Sequence, residues 1–153
     1  MSRRDQIAMP PAEVAAFLEE QRVVICASNG VRGWPHLMPL WYLIRGEGLW
    51  AWTYARSQKV RNLERDPRAT LQVEAGVQYH ELRGVMVQAQ TVIHRELGPV
   101  GELGGELLAR YGGVGQTPEA REAIRAQAAK RVALQIRPER TASWDHRKLD
   151  ELY

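Results

Sequence analysis

Trp50-Ala51-Trp52-Thr53-Tyr54-Ala55-Arg56-Ser57-Gln58-Lys59-Val60-Arg61-Asn62-Leu63 reads as a strand running into a helix. Leu49 to Thr53 are apolar, aromatic and β-branched, which suits a half-buried pleated segment. Ser57 stands where an N-cap belongs, its hydroxyl placed to accept from an early helical N–H. Val60 and Leu63 lie three apart, on one helical face. Asp66-Pro67 closes the helix, because the residue before proline avoids the helical region. The charges are unusual. A helix N-terminus is partially positive and favours Asp or Glu, yet Arg56, Lys59 and Arg61 surround this one. Each cation there costs roughly 0.3–1 kcal/mol unless something offsets it. A bound anion, held by free N–H groups and the helix dipole, is one offset. Long side chains swinging into water are the other. The first reading makes this a phosphate site, the second a solvated basic turn.

Upstream, Pro10-Pro11 opens a helix through Gln21, with Val14, Phe17 and Leu18 as its buried stripe. Residues 1–8 are polar and expected to be loose. Arg22 to Ser28 is a strand, Asn29-Gly30 a turn, and Trp34 to Ile44 a second strand. Pro35 and Pro39 cannot donate to a ladder, so that strand is expected partly at an edge or with a bulge. Backbone groups near Pro39-Leu40-Trp41 are then open to a ligand. Arg45 to Gly48 turns into the third strand.

Downstream, Ala69 to Ala75 and Tyr79 to His94 are strands, the second alternating Val85, Val87 and Ala89 against Met86, Gln88 and Gln90. Gly84 marks a bulge or bend. Pro99 to Tyr111 is a helix weakened by three glycines and stopped at Gly112-Gly113. Thr117-Pro118-Glu119 starts another, to about Ala129. Arg131 to Arg137 is the last strand, ended by Pro138. About six mainly antiparallel strands with peripheral helices give an α+β class and favour a small closed barrel.

The 153 residues, 44% apolar and 25% charged, suit one soluble globular domain, 1–153, with 139–153 a tail packing on the barrel or a partner. The net charge of +3 is spread among acids and suits an anionic small ligand as well as it suits nucleic acid. A nucleic-acid-binding barrel would interleave aromatics with a basic sheet face; the tryptophans here flank prolines and turns, so no nucleic-acid partner is expected. No apolar run approaches the roughly 20 residues of a membrane span. Cys26 is the only cysteine, a core residue by preference, which fits a reducing, cytoplasmic setting. His36, His80, His94 and His146 lack metal spacing, and no metal site is expected.

This order of elements resembles the FMN-binding split-barrel superfamily, pyridoxamine 5′-phosphate oxidase-like. Its phosphate signature, approximately T-N-Y-x-S-R-K, stands here as Thr53-Tyr54-Ala55-Arg56-Ser57-Gln58-Lys59. Thr53, Ser57 and Lys59 match; Gln58 replaces an arginine, whose charge Arg56 or Arg61 would supply. Gly33 to Trp41, Lys59 to Leu63 before Asp66-Pro67-Arg68, and Ser143-Trp144-Asp145 resemble the flavin/deazaflavin oxidoreductase branch, many members of which use coenzyme F420 in place of FMN. The resemblance spans Pro11 to Leu149. It raises the phosphate reading over the solvated turn.

The resemblance implies a split β-barrel and a homodimer with a cofactor at each interface. It implies that the backbone of Met38, Pro39, Leu40 and Trp41 faces the flavin ring and that Trp52 and Thr53 line the site. Arg56, Ser57 and Lys59 would hold phosphate, and Tyr79 and Trp144 would reach across from the partner. Trp50 is read as core. A flavin carries its own hydride chemistry, so no catalytic residue is assigned. His36 is either a polar residue at the cleft rim or a proton donor to a small-molecule substrate. The cationic surround favours coenzyme F420, with its polyanionic tail, over FMN. An FMN-dependent oxidase or reductase and a non-catalytic flavin-binding protein are the alternatives. No segment matches the C-terminal substrate-binding part of a true pyridoxamine-phosphate oxidase.

Overall fold

Seven strands form one antiparallel sheet in the order β2-β1-β5-β6-β7-β4-β3, as seen in a computed structural model that describes residues 2–113 and 117–149. They are β1 (Val24–Asn29), β2 (Pro35–Leu40), β3 (Leu43–Arg45), β4 (Gly48–Tyr54), β5 (Arg68–Ala75), β6 (Arg83–His94) and β7 (Arg131–Asp145). The helices are α1 (Arg3–Ile7), α2 (Pro11–Glu20), α3 (Gln58–Arg65), α4 (Leu97–Gly112) and α5 (Pro118–Ala128). The sheet curls until β2, at one end of the order, comes back near β4. It is a barrel left open along one seam, α+β in class.

Period-two alternation builds the interior. On β4, Leu49, Ala51 and Thr53 are buried inward while Trp50 and Trp52 face the other way. Val85, Val87 and Ala89 on β6, Leu71 and Val73 on β5, and Val132, Leu134 and Ile136 on β7 fill the same interior. Val60 and Leu63 of α3 close one part of it, and Phe17 and Leu18 of α2 another. A second core lies outside the sheet, where Val100, Leu103 and Leu107 of α4 and Ala128 of α5 cover Ala133 and the two tryptophans.

Several expectations need correction. The Trp34–Ile44 strand breaks at Trp41-Tyr42 into β2 and β3. As its prolines predicted, β2 is an edge strand. Its turn from β1 is not a tight Asn29-Gly30 pair. Gly30 N–H donates to Trp34 O at 3.1 Å, and Gly33 takes the positive φ of 84° that the loop needs. Tyr79 to Glu81 form a short 3-10 turn, not strand. Pro138 does not end β7. It sits at an irregularity where Ala89 pairs with Pro138 but Gln88 pairs with Arg140, so the missing N–H is tolerated.

The expected tail therefore supplies the second half of β7 as far as Asp145; its residues 150–153 lie outside the described residues. Gly84 is not that bulge. A Cβ there would lie 2.1 Å from Trp144 Cζ2, so the glycine makes room for an indole across the ladder. The N-terminus, described from Ser2, is not loose: Ser2 and Asp5 form a capping box on α1. Met9 N–H also donates to Ser143 Oγ at 3.0 Å.

The break at Tyr42 is pinned. Its hydroxyl, on a residue with no exposed surface, donates to Leu18 O at 2.6 Å and lies 3.1 Å from Gln21 O, closing the end of α2. Tyr42→Phe removes that donor and leaves both carbonyls to Arg110 Nη2, at 3.4 and 3.1 Å, so it is expected to cost about 1 kcal/mol, read as a lower urea midpoint at unchanged slope.

Candidate functional site

The strand-to-helix stretch forms as its residues predicted. Val60 and Leu63 are buried, and Asp66 caps the C-terminus with its N–H on Asn62 O. Ser57 has N-cap backbone angles (φ −69°, ψ 155°), but its side chain makes no capping bond. Its Oγ is buried without any hydrogen-bond partner. The first α3 turn has no acidic residue, and its opening N–H groups lack intrahelical acceptors.

Lys59 does not swing into water. It is 6% exposed, and its Nζ donates to Thr53 Oγ1 at 2.8 Å. Burial pushes its pKa below the ordinary value of 10.5, Cys26 opposes this, and Arg131 adds to it; among the described residues no carboxylate acts on it. Arg131, which the sequence reading missed, is the second cation. Its guanidinium carbon lies 4.6 Å from the Trp52 ring centroid and 4.1 Å from that of Tyr54. Its Nε is buried without a partner, and Nη2 has only a long 3.4 Å bond to Gln127. Position could have flagged it: Arg131 is opposite Tyr54 in the β4–β7 ladder, and that pairing is not visible before the fold.

Lys59, with no acid acting on it among the described residues, and the orphaned Ser57 hydroxyl stand at a bare helix N-terminus, while Arg131, on the other face of β4 against Trp52 and Tyr54, adds positive charge nearby. The arrangement is unfavourable alone and fits an anion such as a phosphate. Only Arg56 and Arg61 follow the solvated-turn reading, being exposed. Gln58, in place of the family arginine, donates to Asn62 Oδ1 at 2.9 Å. Asn62 has no exposed surface and donates to Ser28 Oγ at 3.1 Å, so it ties α3 to β1. Cys26 is a core thiol, pushed up to about 11 by burial.

The other predicted residues scatter. Met38 and Pro39 lie exposed on β2 and Leu40 is buried. Trp41 stacks on Tyr111 at 4.5 Å. Tyr79 packs against His146, with ring centroids 4.6 Å apart, and the Trp144 ring covers Gly84. Trp144 and Arg131 stand at opposite ends of β7, so one chain does not bring Tyr79 and Trp144 to Lys59. Beside α3, a cavity of about 310 Å³ opens between residues 30–36 and the first helical turns. Two larger cavities offer less. In one, of about 590 Å³, Arg83, Arg147 and Lys148 are already paired with Glu20, Asp145 and Glu13. The other, of about 670 Å³, is a glycine-lined groove between α4 and α5. Among the described residues no three His, Cys, Asp or Glu side chains cluster as a metal site would require, and no helix is long and apolar enough to cross a membrane.

Ser57→Ala tests the site directly. The usual capping rule sets a loss near 1 kcal/mol. With no capping bond to lose, stability is expected to hold within a few tenths of that, while phosphate affinity falls about tenfold, as for one lost hydrogen bond to an anion.

An open-seamed antiparallel barrel of this strand order, with a strand–helix junction whose charges suit an anion, defines a split-barrel protein. The chain belongs to the family described as Pyridoxamine 5'-phosphate oxidase, whose family model matches residues 10–145. A conserved hypothetical protein, Rv2991 from Mycobacterium tuberculosis, is similar at 37% identity and a TM-score of 0.90, over 100% of this chain and 95% of that one. A structure titled F420 Reductase shares the fold at 24% identity and a TM-score of 0.66, over 83% of this chain and 94% of that one. So does the heme storage protein HutZ of Vibrio cholerae, at 16% identity and 0.68, over 87% and 94%. No curated protein matches.

Proposed function

We propose that this chain is an oxidoreductase that binds coenzyme F420 and transfers hydride to or from a small organic molecule. The observation that carries the reading is Lys59, buried with no carboxylate acting on it among the described residues, beside the orphaned Ser57 hydroxyl, with half-buried Arg131 adding positive charge nearby. Ser57, Lys59 and the free N–H groups of α3 would hold phosphate, and exposed Arg56 and Arg61 would meet the anionic tail. The excess of positive charge favours the deazaflavin over FMN, since FMN ends at one phosphate. When bound, the deazaflavin supplies the hydride chemistry. The chain's own part is to orient it, to neutralise its charge and to exclude water. A neighbour titled F420 Reductase is consistent, and at its identity contributes the fold alone.

A homodimer belongs to the same reading. The edge strand β2 exposes Leu37 and Met38 at 57% and 42%, and Trp41 just after it is 47% exposed, apolar side chains that a second copy would cover. Leu37→Glu should then shift the mass measured by light scattering from dimer to monomer. A cytoplasmic setting suits the buried thiol of Cys26.

The test is a parallel titration of cofactor-free protein with F420 and with FMN, followed by tryptophan quenching. Tighter F420 binding, with turnover of reduced cofactor by added acceptors, is expected. Tighter FMN binding moves the chain to the FMN-dependent alternative. Binding without turnover leaves a carrier, and binding of neither removes the reading.

A further inference from the structure

The cavity beside α3 has a feature that the anion site does not use. His36 pairs with Ser28 across the β1–β2 ladder, so both side chains point to the same, inner face. Ser28 is 2% exposed and already accepts from Asn62. His36 Nδ1 is buried and has no hydrogen-bond partner. Asn62, which lines the same cavity, has its Oδ1 taken by Gln58 and Arg65. A buried polar atom left in this way requires an explanation, and a ligand group is one.

The rest of the lining states which ligand. Arg32, His36, Gln58 and Asn62 supply the polar groups, and no carboxylate lines the cavity. The floor therefore favours an acceptor of negative charge. The rim is apolar: Val31 is 75% exposed and Trp34 77%. That wall is preformed, because Gly30 N–H bonds Trp34 O and Gly33 N–H bonds Gly30 O at 3.0 Å. A volume of about 310 Å³ is at the small end for ligand sites and suits a one-ring molecule.

We propose that this cavity binds a small planar organic acid, its carboxylate accepting from His36 Nδ1–H and facing Arg32, its flat body against Trp34. Gln58, which lines the cavity, directly follows Ser57, so the acid lies beside the anion site. Its role as the substrate rests on the oxidoreductase reading; its binding does not.

The probe is cinnamate, with the uncharged cinnamamide as control, titrated calorimetrically into the full chain with and without saturating cofactor. Cinnamate is expected to bind, with affinity lowered at least tenfold by His36→Leu and several-fold by Arg32→Gln, and cinnamamide to bind at least tenfold more weakly. Equal affinity in wild type and both variants overturns the proposal. So does equal binding of the amide, or no binding of cinnamate to either form. Should His36→Leu fail to fold, Arg32→Gln, on an exposed loop, carries the test. Cofactor affinity must stay within twofold in Arg32→Gln; its loss would make the cavity part of the cofactor site and overturn a separate acid subsite. A wild-type protein that binds cinnamate but neither F420 nor FMN keeps the cavity and loses the cofactor reading. One that binds cofactor but not cinnamate does the reverse.

Discussion

Lys59→Met is expected to weaken phosphate-bearing cofactor binding by about 10- to 150-fold, the worth of one hydrogen bond between charged groups. The fold should be almost indifferent. The ammonium is buried with only Thr53 as hydrogen-bond partner and no carboxylate acting on it, so desolvation costs more than its contacts return. Methionine fills similar space without a charge, and the lost Thr53 contact offsets part of that relief. Calorimetry on both proteins would show a large change in affinity with a small change in melting temperature. A large loss of stability instead would mean that Lys59 is structural.

The same residue sets a pH dependence. Its native pKa lies below the unfolded 10.5. Between those two values the unfolded chain binds a proton that the native chain lacks, so stability rises with pH across that window. The cofactor-free protein should therefore gain stability relative to Lys59→Met as pH climbs towards 10.5. Saturating phosphate, which favours the charged form, should flatten the gain.

The second large effect separates two adjacent glycines of α4. Helix propensity says that alanine should improve either by roughly 1 kcal/mol. At Gly105 a Cβ would meet Ile124 Cδ1 at an ordinary 3.9 Å, and Gly105→Ala is expected to stabilise by about 0.5–1 kcal/mol. At Gly104 it would lie 2.3 Å from Trp52 Cζ3, with two more ring atoms within 2.8 Å. Overpacking of that kind typically costs about 1–3 kcal/mol and outweighs the helix gain, so Gly104→Ala should destabilise. Because Arg131 stacks on Trp52, the same change should also weaken cofactor affinity. Chemical denaturation of both variants checks the opposite signs. Equal stabilisation would show that the Trp52 ring moves aside freely.

Those glycines show what sequence reading reaches. Three glycines in a helix look like a weakness, and only the packing shows that Gly104 is where α4 approaches an indole. The strand–helix unit, the buried stripe of α2, the Thr117 cap and the edge position of β2 were legible because each depends on neighbours a few residues away. Propensity, periodicity, capping and the missing proline N–H act at that range. The α+β class followed from the same local signals, whereas the match at Thr53, Ser57 and Lys59 came from the resemblance to the split-barrel family. The continuation of β7 past Pro138 was not legible, since β6 supplies the partner that makes a bulge worthwhile there.

Nor did the sequence reveal Arg131, which is 72 residues from Lys59 and comes near enough to act on its charge only because β7 pairs with β4. The orphaned hydroxyl of Ser57 and the buried imidazole nitrogen of His36 belong to the same class. Sequence alone determined which residue types stand at the strand–helix junction and hence that an anion suits it. Tertiary structure decided which charges go without partners, because burial and the absence of a carboxylate are set by all the surrounding elements at once.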